Sequence, residues 1–215
     1  MKKYINKKII IGFLILTLLI PLSFLGENSF AASDTDDVVV TLDVTTGITI
    51  SDGAAVTMAP NIGIASNGSI GSSSWNVKTN ATLGYTLAVK ADAAPALRVL
   101  ATPANNFADY TEGVSGTPEV WSVASGAKEF GYSAYGTDTS TTTWGTSASC
   151  GVAGVPAVAQ KYVGFSVSDK TIATRATVTP TTGINTTICF AAEQDTVFAP
   201  SGTYNATITA TATTL

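Results

Sequence analysis

Between Gly202 and Thr213, Tyr204, Ala206, Ile208, Ala210 and Ala212 occupy every second position, with Thr203, Asn205, Thr207, Thr209 and Thr211 between them. A period of two belongs to an extended strand, whose successive side chains point to opposite faces. This segment therefore presents one apolar face and one hydroxyl-rich face. Composition extends the constraint to the whole chain: 33 threonines lie between Thr35 and Thr214, and Leu, Glu, Lys and Arg are scarce. Good helix formers other than Ala are missing, while β-branched residues are abundant. The same alternation marks Val38–Val44, Tyr85–Val89, Lys161–Val167 and Ile172–Val178. Shorter candidates are Gly47–Ile50, Ala54–Met58, Trp75–Lys78, Leu97–Leu100, Phe130–Ala134 and Thr187–Ala191. Asp52-Gly53 is a two-residue hairpin signal, because Gly accepts the positive φ of a tight primed turn. About ten short strands without βαβ alternation predict an all-β fold, an antiparallel β-sandwich.

Two stretches break the pattern. Residues 101–127 and 136–159 are rich in Gly, Pro, Asn, Ser and Thr and read as long connections. Without a charged or Pro-rich linker between two hydrophobic halves, residues 32–215 are expected to form one sandwich domain. A division near residue 128 is the alternative.

The first 31 residues read as an address. Lys2, Lys3, Lys7 and Lys8 precede an apolar run from Ile9 to Ile20, and Ser29 and Ala31 supply the small residues of a signal-peptidase site. Residues 1–31 are thus expected to be a signal peptide; the alternative is an uncleaved anchor. After cleavage, seven basic residues face fourteen acidic ones, a formal charge of −7, with no basic footprint for nucleic acid and no second membrane segment. An extracellular or cell-surface location follows.

The chain of 215 residues contains no His and two Cys, which excludes Ser-His-Asp and Cys-His catalysis, His-liganded zinc and iron–sulfur clusters. No cofactor or resident metal is expected. In an exported chain, Cys150 and Cys189 are expected to form a structural disulfide. Asp34, Asp36 and Asp37 read as solvated acids near the mature terminus rather than as a calcium loop. Asp109, Glu112, Glu119 and Glu129 are the carboxylates from which a glycosidase pair would have to come; their spacing selects no pair, and no catalysis is expected. Trp121 and Trp144, with nearby Tyr132 and Tyr135, are candidate platforms for stacking a sugar ring, against the plainer reading that they clamp the long connections. Trp75 reads as core.

The stretches Ser74–Ala91 (SWNVKTNATLGYTLAVKA), Glu129–Asp138 (EFGYSAYGTD) and Ser201–Thr213 (SGTYNATITATAT) resemble Thr-rich exported bacterial surface β-sandwich proteins, including WxL-type and fimbrial surface modules. The resemblance implies an Ig-like or fimbrial-like sandwich and carries over no site residue; GYTL places Tyr85 where a W-x-L motif would have Trp. The expected function is that of an exported structural or adhesive protein of the cell surface: an envelope, surface-layer or fibre subunit. Its partner would be itself, through strand edges, or cell-wall glycan. The alternative is a carbohydrate-binding module using the exposed Trp and Tyr residues.

Overall fold

Strands need neighbours to take their N–H and C=O groups, and pairing sorts the alternating segments into two facing sheets. A computed structural model describes residues 35–51 and 53–215, and residues from Val44 onward form one compact unit. The larger sheet runs in the order β1 (Ile48–Ile50), β2 (Gly68–Thr79), β12 (Ile184–Gln194), β7 (Lys128–Gly136), β10 (Lys161–Gly164), β6 (Glu119–Val120). To it are joined β4 (Leu97–Val99) and β5 (Thr102–Asp109), the latter parallel to β7 at Ala108–Asp109. The smaller sheet has β3 (Tyr85–Ala91) at its centre, flanked by β11 (Lys170–Arg175) and β13 (Ile208–Thr214). A small hairpin of β8 (Gly151–Val152) and β9 (Val155–Pro156) and a four-residue helix, α1 (Thr141–Trp144), interrupt the second long connection. The chain is an all-β sandwich.

The alternating residues do what their period demands. Tyr85, Leu87, Val89 and Ala91 of β3 point inward and are buried, facing Trp75 and Val77 of β2, Ile188 and Phe190 of β12, and Phe130 and Tyr132 of β7. Phe165, just past β10, stacks on Tyr132 at 4.3 Å and on Phe130 at 5.1 Å between ring centroids. β12 is buried on both faces: Ile188, Phe190 and Ala192 enter the sandwich, while Cys189 and Ala191 join a second cluster with Tyr110 and Tyr162 beneath the long connections. Its register with β2 runs from Ile184 to Glu193 and with β7 from Thr186 to Gln194.

Polar anchors close the ends. The Tyr85 hydroxyl donates to Asp138 at 2.8 Å, and Arg175 pairs with the same carboxylate at 3.1 Å, tying β11 and β3 to the turn after β7. Burial, reinforced by Asp138, holds the Tyr85 hydroxyl well above the usual tyrosine range. Asn80 fastens the approach to β1, accepting from the Gly47 N–H at 2.7 Å and donating to the Thr45 carbonyl at 2.8 Å.

Several expected elements differ in the structure. The alternation of Val38–Val44 forms no strand: these residues are exposed and belong to no ladder among the described residues. Asp52 lies outside the described residues. Ala54–Met58 is not the partner of β1, which pairs with β2 instead. Part of the 101–127 connection is a strand, β5, whose run of Pro, Ala and Asn lacks the β-branched residues that announced the others. The expected Trp75–Lys78 strand is part of a longer one that extends back to Gly68 through a Gly/Ser stretch. There the neighbouring β12 decides the conformation, since Gly and Ser carry little strand preference of their own.

Cys150 and Cys189 form the expected disulfide, with their Cα atoms 5.2 Å apart and 39 residues of separation. It ties the second long connection to the central strand. Closing a loop of that size removes about 4 kcal/mol of unfolded-state entropy in the chain-entropy model. The C150S/C189S chain is therefore expected to keep its β circular dichroism while losing stability of that order in urea; an unchanged midpoint would refute the assignment of the crosslink as a stabilising element. Phe165→Ala, which empties the centre of the aromatic stack, should cost about 3–5 kcal/mol by the same measurement.

Candidate functional site

Chemistry-bearing side chains gather on the outer face of the larger sheet, over β7 and β10. Here the floor is glycine: Gly131 of β7 pairs with Gly164 of β10. A Cβ on Gly131 would lie 2.8 Å from the Tyr110 Cβ and 3.0 Å from the Trp121 ring, closer than packed carbons tolerate. Their absence of side chains lets Tyr110 and Trp121 lie flat on the sheet, stacked on each other at 4.5 Å, with Tyr162 edge-on to Trp121 at 5.3 Å. The Trp121 indole N–H donates to Glu193 Oε2 at 2.6 Å, fixing the ring from β12. A glycine inside each of two strand-like runs, FGY and VGF, is the sequence signal for this close approach.

Around that floor stand the four candidate carboxylates. Each is engaged by the loop that follows β5 or by the backbone beside it. Asp109 Oδ1 accepts from the Ala96 N–H at 3.0 Å. Glu112 accepts from the Gly164 N–H and, at 3.1 Å, from the Gly116 N–H. Glu119 Oε1 accepts from the Gly113 N–H at 3.0 Å and from the Tyr110 hydroxyl at 3.3 Å. Glu129 lies beside Thr111 and is 6% exposed. Burial pushes Asp109 and Glu129 above the usual carboxylate range, against the donors that pull them back, and the nearby charge of Glu112 adds to the rise at Glu129. Burial also pushes the Tyr110 hydroxyl up to about 12, with the charges of Glu119 and Glu129 reinforcing it. The structure thus gathers the acids around one loop, bonded mainly to backbone amides and hydroxyls. Such bonds order a 110–120 connection that has only the two residues of β6 to anchor it in the sheet.

The other candidate aromatics separate. Trp144 (2% exposed) and Tyr132 (2%) belong to the sandwich core, 5.7 Å apart between centroids. The Ser140 hydroxyl accepts from the Thr143 N–H and caps the short α1 that carries Trp144 inward. Both rings are covered in this conformation, leaving only Trp121 and Tyr135, each half-buried, with surface toward solvent. Tyr135 borders a shallow depression of about 390 Å³ beside the disulfide, completed by Ile70, Gly71, Ser72 and Ala148–Gly151. Asp36 and Asp37 lie in exposed coil, and Asp34 lies outside the described residues. Among the described residues no group of three or more His, Cys, Asp or Glu side chains is placed to hold a metal ion. Nor is any helix among them long and apolar enough to cross a membrane; the apolar run from Ile9 to Ile20 falls outside them.

The raised Glu129 carboxyl sets a sign for pH dependence. A folded-state value above the unfolded one means that the native chain holds the proton more tightly, so stability declines as pH rises through that interval. Glu129→Gln, which removes the buried charge at nearly constant volume, is expected to flatten the loss of stability between mildly acidic and neutral pH. Urea titrations at several pH values check this, and an unchanged pH slope would exclude Glu129 as its source.

No family model, curated protein or solved structure matches the chain.

Proposed function

We propose that the chain is an exported, non-catalytic structural or adhesive protein of the cell surface, a subunit of an envelope layer or fibre that associates with copies of itself. The observation that carries this reading is the exposed, aliphatic-rich segment Val38–Val44, interrupted only by Thr41 and Asp43. Val38, Val39, Val40, Leu42 and Val44 are all more than three-quarters exposed, while the centre of the sandwich is buried. Five large aliphatic side chains exposed within seven residues mark a site of association. The disulfide fits the oxidising compartment to which the N-terminal segment would direct the chain. The hydrogen bonds of the loop carboxylates further support an architectural role for those acids.

Light scattering and negative-stain microscopy of the purified chain from Ala32 onward test the reading directly. Concentration-dependent multimers, filaments or sheets are expected; a monomer at every concentration would overturn self-association.

The glycan-binding alternative retains one supporting feature, the half-buried Trp121 stacked on Tyr110. Because Trp75 and Trp144 are buried, a change in tryptophan fluorescence on adding soluble cell-wall glycan would report chiefly on Trp121. The structural reading predicts no change. A shift that disappears in Trp121→Phe would favour the alternative.

A further inference from the structure

Sheet edges are open templates, and folded chains protect them with charges, bulges, proline or brevity. Such protection is present on β1, β6 and β11. β1 spans three residues and β6 two. β11 carries Lys170 and Arg175 and breaks register between Thr171 and Ala173. The outer edge of β13 differs: seven residues, Ile208–Thr214, without a charge, a proline or a bulge, paired with β3 alone.

That edge is also unfinished in the core. β3, flanked on both sides, buries Leu87 and Val89 completely or nearly so. By contrast, β13 leaves its inward residues Ile208, Ala210 and Ala212 only partly buried, and across the sandwich Ile48 and Ile50 of β1 are partly buried as well. The inward residues of β13 are mostly small, leaving room beside them for large ones.

The same chain carries a segment with the complementary pattern. Val38–Val44 matches β13 in length, with Val38, Val40, Leu42 and Val44 on one side and Val39, Thr41 and Asp43 on the other. Large aliphatic side chains would enter beside the alanines, while Thr41 and Asp43 would face solvent. Between Val44 and β1 the backbone has no turn, and Asn80 binds both Thr45 and Gly47. Folding back onto the chain's own β13 would require a reversal within those residues.

We propose that residues Val38–Val44 of one copy pair along the outer edge of β13 in a second copy, adding a fourth strand to its smaller sheet. The inference rests on the self-association proposed above and names its donor and acceptor. Backbone pairing supplies much of the affinity, and the alternating aliphatic side chains set the register. Donor and acceptor are different surfaces, so the contact is head-to-tail and propagates into a filament unless its rotation closes a ring.

The test uses the chain from Ala32 with Val40→Asp and Leu42→Asp, two exposed positions whose replacement leaves the sandwich core intact. Losing two aliphatic anchors should weaken assembly by more than about tenfold in light scattering. A peptide of residues 37–45 added to this variant should protect the amides of 208–214 from hydrogen exchange, and the peptide carrying the same two Asp residues should not. If the variant assembles as well as the parent chain, the donor assignment falls while the structural reading stands. Protection confined to β1, β6 or β11, or no protection, overturns the acceptor. A monomeric parent chain with protected 208–214 amides shows self-capture and overturns exchange; a monomer with those amides unprotected overturns exchange and self-association together.

Discussion

The two-sided pairing of β12 is the constraint from which most of the architecture follows. Its ladder with β2 and its ladder with β7 together order the middle of the larger sheet, and both of its faces are covered. Ile188 and Phe190 set the depth of the sandwich, while Cys189 on the opposite face receives the disulfide from the second long connection. A strand buried on both faces reads as a nearly continuous apolar run rather than as an alternation. Ile188-Cys189-Phe190-Ala191-Ala192 is such a run.

Packing outside the sandwich follows from that centre. With β7 and β10 aligned, Gly131 and Gly164 come into register and leave a flat strip on which Tyr110 and Trp121 stack. The loop bearing Tyr110 then has to turn back on itself, and Glu112 and Glu119 take up N–H and hydroxyl groups along it. Buried polar groups are costly unless paired, and backbone amides are the partners a turning loop provides. These acids were visible in the sequence as candidates for chemistry; the geometry shows Asp109, Glu112 and Glu119 hydrogen-bonded to backbone amides.

Strands with their own alternation were legible. β3 falls where period two placed it, and its core residues were readable from that period alone; β10, β11 and β13 overlap the expected runs in part, ending at Gly164 and Arg175 and beginning at Ile208, with a bulge breaking the period in β11. Two Cys residues in a chain expected to be exported were enough to anticipate their bond. Illegible were β5 and the Gly/Ser half of β2, because their backbones take strand geometry from a neighbour rather than from their side chains. The fates of the aromatics were also hidden. Trp121 and Trp144 have similar surroundings in sequence, yet a capped turn of helix carries Trp144 into the core while a glycine strip holds Trp121 at the surface.

By itself, the amino-acid sequence determined that this chain makes strands with one apolar and one hydroxyl face and that imidazole chemistry is closed to it. Each follows from residue type and local period, properties that need no distant neighbour. Only the tertiary structure decided which strands have partners on both edges. Val38–Val44 and Tyr85–Val89 carry the same alternation, yet one is exposed coil and the other the centre of a sheet. Strand formation is completed by hydrogen bonds to another segment, and the position of that segment is a property of the fold.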